Sequence, residues 1–134
     1  MDVEQMVTVR QFMTSPPFTL DSETTVADAC RLMGERRIGS VLLSHNRVVQ
    51  AIFTERDLLS KVLPDGKDLK SISVGAYASS PLITVAPTAD VKEAARIMTE
   101  MRVRRLVVVE QGKPIGLFTA ADLATAVGKY PLEL

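Results

Sequence analysis

The 134-residue sequence repeats itself once, and this duplication constrains the fold more than any other feature. An offset of 65 residues aligns the segment from Val9 to Val62 with the segment from Val74 to Val127 without a gap. The identical pairs include Ser15/Ser80, Pro16/Pro81, Thr19/Thr84, Val26/Val91, Ala29/Ala94, Arg31/Arg96, Met33/Met98, Glu35/Glu100, Phe53/Phe118, Thr54/Thr119 and Asp57/Asp122. The period is longer than that of most solenoid repeats, so two copies predict a pseudo-twofold pair of units.

Each copy closes on a motif with a small residue, two apolar residues, Thr, two variable residues and Asp. The two versions are Ala51-Ile52-Phe53-Thr54-Glu55-Arg56-Asp57 and Gly116-Leu117-Phe118-Thr119-Ala120-Ala121-Asp122. The motif predicts a strand that ends where a helix begins, because Thr-x-x-Asp has the spacing of a capping box. Two interpretations stand: the motif only caps a helix, or it binds a ligand, with its carboxylate facing sugar hydroxyls and its hydroxyl and amides facing phosphate.

Hydrophobic periodicity predicts the order strand, helix, strand, strand, helix in both copies. We expect strands at 18–20, 38–43, 48–53, 83–85, 106–109 and 115–118, and helices that begin at Thr25, Thr54, Asp90 and Thr119. A strand–helix–strand step favours parallel pairing and a hairpin is antiparallel, so each sheet is predicted to be mixed. The predicted fold is α+β, with the first unit at 7–63, a linker at 64–73 and the second unit at 74–130.

Composition weakens several classes of function. Lys+Arg and Asp+Glu are both 16, which argues against a general nucleic-acid binder. The first five residues carry acids and lack a long apolar run, so we expect no signal peptide, and no stretch approaches the ~20 apolar residues that span a bilayer. The single cysteine excludes an intrachain disulfide and fits a reducing, cytoplasmic setting.

The sequence offers no constellation for catalysis. We expect His45 to lie in a surface turn, without the oriented partner that a catalytic base needs. Cys30 falls on the apolar stripe of a predicted helix beside Val26 and Met33, so we interpret it as a structural thiol. One Cys and one His cannot build a zinc site, and the sequence has neither a P-loop nor a GxGxxG motif. We therefore predict no catalytic residues, no metal site and no enzyme activity.

The duplicated unit with its closing motif resembles the cystathionine-β-synthase (CBS) domain, and the tandem pair resembles a free-standing Bateman module. The resemblance covers 7–63 and 74–130. It implies two units packed through their sheets, often doubled by homodimerisation, and two clefts for adenosine-type ligands, commonly AMP, ADP or ATP. It also implies that Asp57 and Asp122 hold ribose hydroxyls and that Thr54 and Thr119 lie near the sugar or the phosphate.

The resemblance further implies that each cleft is built across the two units, with the acid motif from one and the base pocket from the other. The first cleft would combine Thr54, Arg56 and Asp57 with Leu82, Ile83, Val103, Arg104 and Arg105. The second cleft would combine Thr119, Ala121 and Asp122 with Pro17, Phe18, Ile38, Gly39 and Ser40.

The two implied clefts differ in charge. Arg104 and Arg105 match Gly39 and Ser40, and Arg56 matches Ala121. Arginine side chains suit phosphate oxygens, so we predict that a phosphorylated nucleotide prefers the first cleft. The alternative is that Arg102, Arg104 and Arg105 form a solvated strand edge that blocks aggregation. In the first cleft, Ala51 replaces the glycine of the motif, and its methyl group could crowd the backbone.

The leading hypothesis is a regulatory sensor that binds an adenine nucleotide, AMP before the others, and acts on a separate effector protein as a homodimer. ADP, ATP and S-adenosylmethionine remain open, because each presents a ribose to Asp57. The alternative is a structural dimerisation scaffold whose clefts are vestigial. A nucleic-acid binder would show a continuous basic face and steep salt dependence, which zero net charge disfavours.

Overall fold

The computed structural model describes residues 6–131, and these residues form two compact units. The first unit comprises residues 18–82, and the second unit comprises residues 6–17 together with residues 83–131. The compact units therefore differ from the sequence repeats, because each takes in the opening segment of the other copy. The first five residues, where we expect no signal peptide, and the last three lie outside the described residues.

The predicted order of strands and helices is present in both copies. In chain order the elements are α1 (Val9–Phe12), β1 (Thr19–Asp21), α2 (Val26–Arg36), β2 (Ser40–His45), β3 (Val48–Thr54), α3 (Glu55–Asp57), a π-helical turn (Leu58–Val62), α4 (Leu63–Asp65), a 3₁₀ turn (Val74–Ala76), β4 (Thr84–Val85), α5 (Val91–Met101), β5 (Arg105–Glu110), β6 (Lys113–Thr119) and α6 (Ala120–Lys129).

The sheet of the first unit has the order β1-β2-β3. Strand β1 is parallel to β2, with Thr19 opposite Leu42, and β2 is antiparallel to β3, with Val41 opposite Phe53. The sheet is therefore mixed, as predicted. Its core comprises Val26, Ala29, Met33, Val41, Leu43, Phe53, Val62 and Val74. Helix α2 supplies three of these residues from one face, because they recur at the helical spacing of three and four.

The second unit repeats this plan with the order β4-β5-β6. Strand β4 is parallel to β5, with Thr84 opposite Val107, and β5 is antiparallel to β6, with Leu106 opposite Phe118. Its core comprises Val7, Val9, Val85, Val91, Ala94, Met98, Leu106, Val108, Phe118 and Ala126. The prediction of an α+β fold with two mixed sheets is confirmed in each unit.

The opening segment of each copy adds a short bridge to the last strand of a unit. In the first unit, Ser79 and Ile52 exchange two backbone hydrogen bonds of 2.9 and 3.0 Å. In the second unit, Thr14 and Leu117 do the same at 2.8 and 2.9 Å. These pairs are matched by the 65-residue offset, so the same local pairing occurs twice and places residues 14 and 79 beside the closing motifs.

The helix that follows β3 runs further than the sequence predicts. The sequence predicts a linker that begins at Pro64, but helical backbone continues to Asp65 and ends at Gly66, whose φ is 67°. The π-helical turn comes directly before Pro64, and its wider backbone relieves the clash that a proline ring makes with the preceding turn of an α-helix. Glycine suits the left-handed backbone at this end.

Candidate ligand-binding corners

The first corner, formed by Thr54 and Asp57, lies where β3 passes into α3. The Thr54 amide donates to Asp57 Oδ2 at 2.9 Å, and the Asp57 amide donates to Thr54 Oγ1 at 3.3 Å. The Thr54 hydroxyl also donates to Asp57 Oδ2, at 3.1 Å. This is the reciprocal capping box that the spacing predicts. The three bonds fix the carboxylate, so only its other oxygen, Oδ1, remains for further partners.

In the first corner, Asp57 Oδ1 has two partners of its own. Lys61 Nζ lies 3.0 Å away and the Ser79 hydroxyl donates to the same oxygen at 3.2 Å. Asp57 is 5% exposed, whereas the Lys61 side chain is 45% exposed. The first corner therefore holds a buried carboxylate whose oxygens are both hydrogen-bonded within the unit, which is what a buried charge requires.

The second corner, formed by Thr119 and Asp122, has the same capping box between β6 and α6. The Thr119 amide donates to Asp122 Oδ2 at 2.8 Å, its hydroxyl donates to the same oxygen at 3.1 Å, and the Asp122 amide donates to Thr119 Oγ1 at 3.2 Å. No hydrogen bond to Asp122 Oδ1 comes from within residues 6–131, and Asp122 is half-buried. This oxygen is therefore exposed to solvent.

The residues implied for the first cleft divide between the units. Thr54, Arg56, Asp57 and Leu82 belong to the first unit, whereas Ile83, Val103, Arg104 and Arg105 belong to the second unit. Within the second unit, Ile83 and Val103 pack against the core, and the Arg104 carbonyl accepts a hydrogen bond from the Ala120 amide. The side chains of Arg56 and Arg104 are exposed, and that of Arg105 is half-buried. The assembled cleft stays a prediction.

The residues implied for the second cleft divide in the same way. Pro17, Thr119, Ala121 and Asp122 belong to the second unit, whereas Phe18, Ile38, Gly39 and Ser40 belong to the first unit. Within the first unit, the Arg36 guanidinium lies 4.2 Å from the centre of the Phe18 ring, and the Gly39 carbonyl accepts from the Glu55 amide. Ser40 is buried at the start of β2. This cleft also stays a prediction.

Sequence reasoning missed Lys61 and Ser79. Lys61 carried a signal, because an acid four residues before a lysine on a helix is a favourable pair. Ser79 carried none, because it meets Asp57 only through the bridge to Ile52, which depends on the tertiary fold.

A groove of about 360 Å³ lies in the first unit. It is lined by Ser22, Glu23, Leu43, Ser44, His45, Gln50, Ala51, Ser73, Gly75, Ala76 and Ser80. Its lining contains no lysine or arginine, so it lacks the guanidinium or ammonium donors that favour a phosphate. None of the residues implied for the two clefts lines this groove.

The remaining candidates for chemistry are isolated. His45 is exposed, and its Nδ1 lies 3.5 Å from the Ser22 hydroxyl. Cys30 is half-buried, and this burial raises the pKa of its thiol, which disfavours the nucleophilic thiolate. Within residues 6–131, no three His, Cys, Asp or Glu side chains cluster so as to hold a metal ion. No helix in the same range has the length and apolar character needed to cross a membrane.

Comparison with known proteins gives consistent matches. The CBS-domain family model matches residues 9–64 and again residues 74–129. The CBS domain-containing protein YhcV of Bacillus subtilis is 26% identical over 119 residues, which cover 89% of this chain and 84% of YhcV. The mitochondrial CBS domain-containing protein CBSX3 of Arabidopsis thaliana is 32% identical over 111 residues, which cover 79% of this chain but only 54% of CBSX3.

The fold also matches solved structures. A hexameric CBS-CP12 protein from bloom-forming cyanobacteria superposes with a TM-score of 0.83 at 27% identity, covering 93% of this chain and 75% of that chain. Pairs of CBS domains are generally regulatory modules that bind adenosine-type ligands. Three observations indicate a duplicated domain: two family matches, two units of the same topology and two Thr–Asp corners. This protein therefore belongs to the CBS-domain family and carries the domain twice in tandem.

Proposed function

We propose that this protein is a regulatory sensor of adenine nucleotides. The observation that carries the proposal is the repeated corner, in which a threonine fixes one oxygen of an aspartate in the same way at Asp57 and Asp122. A carboxylate held in this way is an acceptor for the two hydroxyls of a ribose, because hydrogen bonds to a charged group are stronger than neutral ones. A scaffold could use the two capping boxes to begin its helices, but it has no need of a Thr and an Asp beside an arginine pair.

The arginines of the first cleft indicate that the proposed ligand carries a phosphate. Arg56 lies beside Asp57 on the same helix, and we place Arg104 and Arg105 at the same bound nucleotide, whereas Ala121, Gly39 and Ser40 take the matched positions of the second cleft. Each charge-assisted hydrogen bond to phosphate contributes roughly 1.5–3 kcal/mol. We therefore propose that AMP, ADP or ATP binds the first cleft more tightly than the second cleft, with AMP as the first ligand to test.

We propose that the sensor works as a homodimer acting on a separate effector protein in the cytoplasm. Leu59 and Leu63 lie four residues apart on the helical stretch that follows Asp57, and they are 67% and 51% exposed. Apolar side chains exposed at this spacing suit a surface that another subunit covers. The hexamer of the CBS-CP12 protein is a precedent for assembly in the family. Sedimentation of a monomer at tens of micromolar would contradict this part of the proposal.

Titration calorimetry tests the proposal. The protein is titrated with AMP, ATP and GMP, and the same titrations are repeated on the matched variants Asp57→Asn and Asp122→Asn. We expect adenine-selective heat that weakens on the order of 10²-fold in Asp57→Asn, because a ligand loses its charged ribose partner. Asp122→Asn should weaken only a second, lower-affinity event.

The second candidate function is a dimerisation scaffold with vestigial clefts, and the exposed Leu59 and Leu63 are the observation that favours it. It predicts a stable dimer and no heat from any nucleotide. That result in the unmodified protein would replace the sensor proposal with the scaffold.

A further inference from the structure

Lys61 brings a positive charge to the Asp57 corner. Neither the capping-box motif nor the match to the CBS family points to this residue. Lys61 Nζ lies 3.0 Å from Asp57 Oδ1, 3.2 Å from the Ser79 hydroxyl and 3.5 Å from the carbonyl of Tyr77. One ammonium group thus connects the Asp57 carboxylate to residues 77–79, the segment that pairs with Ile52 in the same unit. Asp57 Oδ1 is the oxygen that the capping box leaves unused, so the lysine occupies the position where an incoming hydroxyl would donate.

Lys61 lies within the π-helical turn Leu58–Val62, four residues after Asp57. The second unit has neither the turn nor the lysine, because the matched residue is Ala126 and α6 is an α-helix. A π turn carries more residues than an α turn, which shifts the residues after it around the helix axis. In the first unit, Val62 is fully buried and Lys61 is exposed beside Asp57. In the second unit, α6 is α-helical throughout, Ala126 is fully buried and Val127 is 45% exposed. By the 65-residue offset, Val62 matches Val127 and Lys61 matches Ala126. The residue buried in the second unit is therefore the match of the exposed Lys61 and not of the buried Val62.

This difference changes what a ribose hydroxyl meets at each corner. At Asp122, Oδ1 is exposed and receives no hydrogen bond from residues 6–131. At Asp57, the same oxygen already accepts from an ammonium and a hydroxyl. A ribose hydroxyl must displace at least the lysine to bind Asp57, whereas it meets no competitor at Asp122.

We propose that Lys61 is a specificity-determining residue that makes the Asp57 corner select phosphorylated nucleotides over nucleosides. The inference rests on the proposed adenine-nucleotide function and adds to it a residue and a selection rule. A nucleoside displaces the ammonium and gives it no new partner. A nucleotide brings a phosphate, which the displaced ammonium can pair with, because lysine is a flexible point-charge donor and this one is half-exposed.

Arg56 supports this selection from the same helix. Its side chain is exposed one residue before Asp57, and the second unit has Ala121 at the matched position. The first corner therefore has Lys61 at the Asp57 carboxylate and Arg56 next to Asp57 in the chain, whereas the second corner has alanine at both matched positions. Adenosine should accordingly prefer the Asp122 corner, while AMP should prefer the Asp57 corner.

The test compares adenosine with AMP at the Asp57 corner alone. Both ligands are titrated by calorimetry into Asp122→Asn and into Asp122→Asn with Lys61→Met added, and thermal melting checks that each variant is folded. Adenosine should bind about fivefold more tightly after Lys61→Met, the factor expected for a half-exposed ion pair. AMP should bind no more tightly, so the preference for AMP over adenosine should fall by about fivefold or more.

Three further variants keep the result interpretable. Lys67→Met removes an exposed lysine of the same unit and should leave both affinities unchanged. Lys61→Arg keeps the charge and should keep the discrimination, and Lys61→Gln supplies a second neutral variant if Lys61→Met does not fold. Equal adenosine affinity with and without Lys61, while AMP binding still depends on Asp57, would overturn this inference alone. Absence of heat from either ligand in every variant would instead remove the proposed function.

Discussion

The two corners share one local geometry and differ in what surrounds it. In both, threonine bonds to a single oxygen of the aspartate three residues later, with distances that agree within 0.1 Å. At Asp57, a lysine and a serine take the other oxygen, whereas at Asp122 no residue in the described range does. The comparison teaches that the capping box is sufficient to place the carboxylate, and that residues outside the motif decide how available it is.

The strands that lead into the corners differ as well. A methyl group at Gly116 would lie 2.8 Å from the Thr14 carbonyl oxygen and 2.9 Å from Met13 Sδ. In the first unit the matched residue is Ala51, and Ala78 takes the position of Met13. Both alanines pack against the core of the first unit. Where the strand has alanine instead of glycine, the facing segment thus has the small Ala78 instead of methionine.

The largest effect that we expect from this comparison is on stability. Gly116→Ala should lower the free energy of unfolding by about 3 kcal/mol, the upper part of the overpacking range, because the Thr14 carbonyl is bonded to the Leu117 amide and cannot move away freely. Ala51→Gly should lower it by only about 1 kcal/mol, through backbone entropy and lost packing. Urea denaturation of the two variants measures both values.

A double-mutant cycle sharpens this test. Adding Met13→Ala to Gly116→Ala creates the pairing that the first unit already has. The second substitution should cost less in the Gly116→Ala background than in the unmodified protein, since Met13 Sδ is one of the two close contacts. A Gly116→Ala protein as stable as the unmodified one would show that the strand and the bridge shift apart without penalty.

The next effect concerns the carboxylates themselves. Asp57→Ala should destabilise the protein by about 2 kcal/mol, because it removes the carboxylate half of a capping box and the partner of a half-exposed lysine. Asp122→Ala should cost about 1 kcal/mol, because it removes only the carboxylate half of the capping box. The difference between the two variants is the contribution of Lys61 and Ser79, and urea denaturation measures it.

Removal of Lys61 supplies the control for this pair. In a Lys61→Met background, the costs of Asp57→Ala and Asp122→Ala should come closer together, and the difference that is left is the contribution of Ser79. If the two aspartate variants already cost the same in the unmodified protein, the ion pair at Asp57 contributes nothing to stability, and its role is confined to ligand binding.

Much of the fold was predictable because the repeat reports each element twice. The apolar stripes at Val26, Ala29 and Met33 and at Val91, Ala94 and Met98 became buried helix faces, as their spacing indicates. The propensities of Leu58–Val62 and the matched residues did not predict the π-helical turn, although Pro64 follows it in the first copy and Lys129 takes the matched position in the second copy. Tertiary packing, which buries Val62 in one unit and Ala126 in the other, distinguishes them.

The corner was predictable as a cap, but its electrostatic environment was predictable only in part. The Thr-x-x-Asp spacing gave both capping boxes, since the motif is local. Of the partners of Asp57 Oδ1, Lys61 follows at a helical spacing that a sequence shows, whereas Ser79 lies more than 20 residues away in the chain. The implied clefts draw on both units, so the resemblance to the CBS domain predicted them, and local patterns did not.

The smallest effect that we expect concerns helices α2 and α5, which occupy matched positions in the two copies. Arg96 bonds to Glu93 through Nε at 3.0 Å and to both oxygens of Glu100 at 2.8 Å. The matched Arg31 bonds to one oxygen of Glu35 at 3.2 Å and lies 3.9 Å from Asp28. The hydrogen bonds from Arg96, and then its charge, lower the pKa of Glu93 below its ordinary value. A lowered folded-state pKa means that the contribution of Glu93 to stability is complete above its ordinary pKa and is lost as the pH falls through the lowered value.

Carboxylate NMR titration should show the pKa of Glu93 rising toward its ordinary value in Arg96→Met and unchanged in Arg31→Met. Because the network is solvent-exposed, high salt should shrink this shift, and a shift that survives 1 M salt would show that the hydrogen bonds matter more than the charge.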